Sequence, residues 1–136
     1  MDDINTAMQI SAAGLRAQSA RLRIVSENIA NASSTAEAPG ADPYRRQVPV
    51  FQTYVDRAVD AQLVRVDRVT LDPSEFTLRF DPGHPSANTE GYVAFPNVNP
   101  LIEMMDLREA QRSYEANLGA LDTMRAMAAS TLRILE

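Results

Sequence analysis

The lone histidine, His84, lies in Asp81-Pro82-Gly83-His84-Pro85, where an imidazole near a carboxylate could act as a general base. No second imidazole and no nucleophile accompany it, so it reads as a turn histidine between two prolines. Glu103, Asp106 and Glu109 have the chemistry of hard-cation ligands. Their place early in a C-terminal helix is also where carboxylates complement the helix dipole, and a structural use is expected. Arg45-Arg46 beside Tyr44 could hold a phosphate, but two basic residues at a strand start are more often solvated or paired with a neighbour's carboxylate. Arg16, Arg21 and Arg23 could complement acidic groups of an adjacent subunit, although exposed helical arginines need no such reason. With no Cys in the chain, thiolate nucleophiles and Cys-based zinc sites are absent. The sequence therefore offers no catalytic residue, no metal site and no cofactor site, and an enzyme is not expected.

The elements that carry these residues belong to a chain of 136 residues, enough for one ordinary domain. Hydrophobic residues make up 45% and charged residues 23%, far from the composition of disorder. Aromatics are only 6% with no Trp, so Leu, Ile, Val, Met and Ala must fill the core. Thirteen basic against 18 acidic residues give a net charge of −5, the wrong sign for nucleic acid or an anionic bilayer. Neither partner is expected. No apolar run approaches the roughly 18 residues of a membrane span, and Met1-Asp2-Asp3 lacks the features of a cleaved secretory signal. Membrane insertion and export by that route are not expected.

From Ile4 to Ile29 there is no proline, and Met8, Leu15, Leu22 and Ile29 recur every seven residues, with Ile4 and Val25 four residues ahead of members of the series. This spacing predicts a heptad-like helix. Ser11 and Gln18 interrupt its seam, and polar residues there trade stability for register. Gly14 is either tolerated or permits close helix contact. Asn28 and Asn31 mark the end. At the other end of the chain, Asn99-Pro100 reads as an N-cap and first helical residue. Behind it Leu107, Tyr114, Leu121, Ala128 and Leu135 recur at seven, with Ala110, Leu118, Met124 and Leu132 in flanking seam positions.

Between the helices, residues 32–43 form a small-residue, turn-rich linker. Val48, Val50 and Phe51 around Pro49, then Val64, Val66, Val69 and Leu71 in alternation, read as short strands. Phe76, Leu78 and Phe80 alternate between the breaks at Asp72-Pro73 and Asp81-Pro82-Gly83, consistent with a small β-ribbon or an irregular β insert. Residues 52–62 suit either a strand or a short helix.

The expected fold is mainly α with a small β segment: two long terminal helices forming an antiparallel coiled coil, plus a β-rich middle insert. Its parts are residues 1–31, 32–98 and 99–136. Helices of this length, roughly 40 and 54 Å, overrun a globule of this size, so an elongated hairpin with the β segment at its far end is the simplest arrangement. Ile10, Ile24, Ile102, Met105, Met127 and Ile134 then lie on faces away from the seam. Such surplus apolar surface suits a subunit whose neighbours complete the core. Met8, Met104, Met105, Met124 and Met127 fit core or adaptable interface.

Ser11-Ala12-Ala13-Gly14-Leu15-Arg16-Ala17-Gln18, running to Ser26-Glu27-Asn28-Ile29-Ala30-Asn31-Ala32, resembles the N-terminal motif of the axial proteins of the bacterial flagellum. Tyr44-Arg45-Arg46-Gln47-Val48-Pro49-Val50-Phe51, Asp81 to Pro85, Glu90 to Pro100 and Glu109 to Asn117 resemble the proximal-rod members of that family, in the expected order along nearly the whole chain. Ser86 and Asn88 stand where acidic residues are common in relatives.

The resemblance implies a structural subunit of the flagellar basal-body rod. The rod crosses the periplasm, transmits torque from motor to hook and walls the export channel. It also implies secretion by the flagellar type III export apparatus. Implied partners are other copies, other proximal-rod proteins, the distal-rod protein and the adaptor between the export gate and the MS ring. On this reading Ile4, Met8, Leu15, Leu22, Val25 and Ile29 of the first helix form the helix seam and subunit interface. Leu107, Tyr114, Leu118, Leu121, Met124, Leu132 and Leu135 of the last helix complete it. Loops bearing Tyr44, Arg45, Arg46, Asp81, His84 and Tyr92 contact axial neighbours. A soluble helical adaptor or export chaperone that binds client helices is the alternative.

Overall fold

A computed structural model of the chain describes residues 2–134. Its elements are α1 (Asp2–Ala30), β1 (Gln47–Asp56), β2 (Ala61–Leu71), β3 (Thr77–Phe80), β4 (Tyr92–Phe95) and α2 (Pro100–Ile134). Asp2 and Asp3 place negative charge on the first turn of α1, where the exposed N–H groups favour it. At its far end Asn31 turns back, its side-chain amide donating to the Glu27 carbonyl at 2.8 Å. The expected cap opens α2: Asn99 Oδ1 accepts from the Leu101 N–H at 3.1 Å, and Pro100 fills the first helical position. The strands form two separate two-stranded sheets, β1 with β2 and β3 with β4.

The chain divides into two compact units. The first comprises Met1–Leu22, Val50–Arg68 and Arg108–Glu136. Here α1 and α2 run antiparallel, with Gly14 against Asn117 and Arg21 paired to Glu109 at 3.6 Å. A Cβ on Gly14 would lie 3.0 Å from Asn117 Nδ2, so the glycine serves close helix contact. The buried set is dominated by small side chains, Ser11, Ala13, Ala17 and Ala110, with Leu63 of β2 and Leu121 of α2. Residues 52–62 resolve into the ends of two strands and a turn at 57–60, not a helix. Asp60 takes the left-handed conformation there (φ 48°), one that Asp tolerates better than most.

One expectation is overturned in this unit. Instead of projecting from the far end of the helix pair, the β1–β2 hairpin returns along it, and its turn reaches the start of α1, where Thr6 Oγ1 donates to the Val59 carbonyl at 3.4 Å. Strands of 10 and 11 residues reach about 33–36 Å, the scale of the helices. A hairpin of that length can bury Leu63, which a free appendage would leave wet.

The second unit comprises Arg23–Pro49 and Val69–Leu107. The base of the hairpin closes here, the Asp72 N–H donating to the Arg46 carbonyl at 2.9 Å and Thr70 Oγ1 to that of Val48 at 3.4 Å. Antiparallel β3 and β4 pair Thr77 with Phe95, Leu78 with Ala94, Arg79 with Val93 and Phe80 with Tyr92. Val93 is fully buried. Gly91 (φ 85°) is required where the strands meet, because a Cβ there would lie 2.9 Å from Phe80 Cε2. Ser86 is buried and donates to the Ala36 carbonyl, tying the linker to the β3–β4 connection. Ile24, expected away from the seam, is fully buried beside Val25. Here α1 is covered over a broader arc than one coiled-coil stripe.

Candidate functional site

The densest polar arrangement lies in the second unit, where the last turn of α1, the Tyr44–Gln47 segment and the first turn of α2 meet. Asn28, 1% exposed, uses all its hydrogen-bonding capacity. Its Oδ1 accepts from the Tyr44 hydroxyl at 2.8 Å and the Gln47 N–H at 2.9 Å. Its Nδ2 donates to the Gln47 carbonyl at 2.8 Å and to Glu103 Oε2 at 3.2 Å. Glu103 is 0% exposed, and its other oxygen accepts from Arg46 Nε. Arg46 also reaches Asp72 Oδ2 at 3.5 Å, and its backbone N–H donates to Asn97 Oδ1 at 2.8 Å. Asn97 in turn donates to the carbonyls of Asp72 at 3.0 Å and Ser74 at 3.2 Å.

The charges answer to this geometry. Burial works against the Arg46 charge, but the hydrogen bond and opposite charge of Glu103, with Asp72 behind it, more than offset that and raise its pKa. Burial pushes the Tyr44 hydroxyl up, and the Glu27 and Glu103 carboxylates add to the shift. The Ser74 backbone N–H, then its hydroxyl, hold the Asp72 carboxyl below its ordinary range against a small burial effect, and Arg46 contributes. Both oxygens of the Glu103 carboxyl are taken by Asn28 and Arg46, the guanidinium is permanently charged, and no nucleophile stands beside them among the described residues. The cluster fixes three chain segments in one register. Among the described residues, no three acidic or imidazole groups are gathered to hold a metal ion. No described helix is long and apolar enough to cross a membrane.

Of the seam residues read from the sequence, Val25 and Leu121 are buried. Ile4, Met8, Leu15, Leu22, Ile29, Leu107, Tyr114 and Met124 are half-buried, while Leu118 and Leu132 are exposed. Leu135 lies outside the described residues. Among the loop residues, Tyr44 and Arg46 belong to the buried network. Arg45 stacks on Phe76 at 4.2 Å and donates to the carbonyls of Asp72 and Ser74. Both arginines therefore find partners within their own chain. Asp81 is an exposed turn residue, and His84 Nδ1 accepts from the Ser86 N–H at 3.0 Å. Tyr92 meets Phe80 edge to face at 5.4 Å.

Sequence reasoning did not single out Asn28, Glu103, Asn97 and Asp72 as one cluster. A signal existed: Gly14, Arg21 and Asn28 repeat at seven, as do Glu103, Ala110 and Asn117. These polar or small residues mark the faces on which the helices approach most closely.

Comparison with known proteins agrees with this architecture. Residues 8–37 match the family model "Flagella basal body rod protein", and residues 89–134 match "Flagellar basal body rod FlgEFG protein C-terminal". The chain is 49% identical to the flagellar basal-body rod protein FlgC of Agrobacterium fabrum, over 100% of this chain and 98% of that protein. It is 38% identical to the FlgC of Bacillus subtilis over 93% and 95%, and 36% identical to that of Borreliella burgdorferi over 96% and 97%.

Proposed function

Because this chain belongs to the FlgC family of flagellar basal-body rod proteins, we propose that its two helices form part of the wall of a tube that carries torque and encloses an export channel. The chain is a non-enzymatic structural subunit of the proximal rod and assembles with other rod subunits. The finer reading names its neighbours: further copies, the other proximal-rod proteins, the distal-rod protein and the adaptor at the export gate. The flagellar type III apparatus delivers it.

The observation that carries this reading is the apolar surface left on α2 after α1 is packed. Leu101, Ile102, Met104, Met105, Met127 and Ile134 are all more than half exposed. That is more than a self-contained helical hairpin leaves in water, and burial against neighbours at about 25 cal/mol per Å² drives assembly. The buried Asn28–Glu103–Arg46 network supports a role in carrying torque, since it holds α2 to α1 through hydrogen bonds of defined geometry.

The test is Met127→Asp in cells lacking the native gene, with Leu121→Asp as the severe counterpart. Met127→Asp leaves the isolated chain helical but removes it from purified basal bodies; Leu121→Asp disrupts the helix pair as well. Wild-type incorporation of both variants overturns the reading. So does recovery of the chain only as a discrete soluble oligomer, the behaviour of an adaptor or chaperone.

A further inference from the structure

The β3–β4 sheet buries one face and presents the other. Strand alternation puts Leu78, Phe80, Tyr92 and Ala94 on the face opposite buried Val93. Leu78 is 60% and Phe80 66% exposed. Beside them runs a groove of about 190 Å³, lined by Leu78, Tyr92 and Ala94 and by Ala36 and Asp42 of the linker, with room for one Met or Leu side chain. The rim is acidic. Asp42 lines the groove, and Glu37, Asp81 and Glu90 are exposed neighbours in sequence of its lining and sheet-face residues. Arg79, between Leu78 and Phe80 in β3, lies on the other face, stacked on Phe95 at 4.3 Å. No Lys or Arg occurs from 80 to 107.

A complementary stripe lies on α2 of the same sequence. Leu101, Met104, Met105, Arg108 and Arg112 follow helical spacing, and all five are exposed. Since the sheet face and the stripe are both open to solvent, neither covers the other within one chain. We propose that the Leu78–Phe80–Tyr92 face of one copy receives the Leu101–Met104–Arg108 stripe of a second copy, Met104 entering the groove and Arg108 and Arg112 meeting the acidic rim. This deepens the rod reading and rests on it. Two different patches that fit each other make a head-to-tail contact, which propagates into a ring or an open helix and does not stop at a dimer. An aromatic centre in a charged rim is the usual composition of a surface that carries binding energy.

The chain has no Cys, so engineered cysteines report without background. Two differently tagged copies, one Leu78→Cys and the other Met104→Cys, are expressed together in cells lacking the native gene, and purified basal bodies are oxidised. The expected product is the mixed disulfide, several-fold above either same-site dimer. Independently, Arg108→Glu and Asp81→Arg each lower incorporation into basal bodies several-fold, and the double variant restores it. Same-site dimers, a bond to a different rod protein, or no bond while both chains are present in basal bodies overturn the interface and leave the rod assignment standing. Charge variants that are neutral singly and together overturn it likewise. Absence of the unsubstituted chain from basal bodies overturns both.

Discussion

Asn28 Nδ2 stands 3.2 Å from Glu103 Oε2, and neither residue is more than 1% exposed. A carboxylate taken out of water costs several kcal/mol unless its oxygens are matched, and Asn28 and Arg46 match both. The pair makes the start of α2 dependent on the end of α1.

Glu103→Ala should therefore destabilise the chain by about 3 kcal/mol, because Arg46 loses its buried counter-charge and Asn28 an acceptor. Asp72→Asn removes the charge from the more exposed arm of the same arginine but keeps an oxygen for the Ser74 N–H, and should cost under about 1 kcal/mol. Urea unfolding followed by circular dichroism measures both; equal losses would show that burial does not rank the two arms.

Gly14→Ala sets helix propensity against space. Alanine gains up to about 1 kcal/mol in a helix interior, but its Cβ meets Asn117, which is itself held by a bond to the Ser113 carbonyl. The single variant should gain nothing or lose stability. In an Asn117→Ala background the same change should stabilise, and the double-mutant cycle reads the coupling.

Stability should fall at both ends of the pH scale through identified groups. The folded Asp72 pKa lies below its unfolded value of roughly 3.9. Its contribution is therefore complete above about pH 4 and lost as pH falls through the folded value. The folded Tyr44 pKa lies above its unfolded value of roughly 10, so its contribution is complete below about pH 10 and lost as pH rises through the folded value. Asp72→Asn should flatten the acid limb and Tyr44→Phe the alkaline limb in melting curves taken across pH.

Gln18 Oε1 is buried and finds no hydrogen-bond donor among the described residues. Replacing an unsatisfied amide by an apolar chain of similar length removes that penalty, so Gln18→Met should raise stability by about 1 kcal/mol. A lower urea midpoint would show that the amide is bonded in solution.

From residue 125 to 134, α2 is exposed except at Met124's successor on the inner face, Ala128. In the dilute isolated chain, amide protons there should exchange orders of magnitude faster than those around Ala110, and assembly into rods should protect them. Strong protection in the isolated chain would contradict an end completed by neighbours.

Much of the fold was legible because it is written at short range. Seven-residue recurrence in 4–29 and 107–128, the Asn99-Pro100 start and the alternation of Val64 and Val66 each depend on residues within a few positions of one another. The face of Ile24, read as surplus for neighbours, is covered within the chain, because a coiled-coil template assumes one covered stripe whereas α1 is buried on more than one side. The hairpin was misplaced because strand length says how far it reaches, not the direction in which it folds.

The sequence by itself determined two long helices, a β-rich centre, the absence of a catalytic set and a surplus of apolar side chains. Tertiary structure alone decided that Glu103, read as a helix-dipole carboxylate, is a buried partner of Arg46 and Asn28, and that the hairpin turn meets the start of α1. The reason is range. Periodicity is set by backbone geometry over a turn or two, but the partner of a buried polar group is chosen among residues 57 and 75 positions away, by whichever segments close together when the core excludes water.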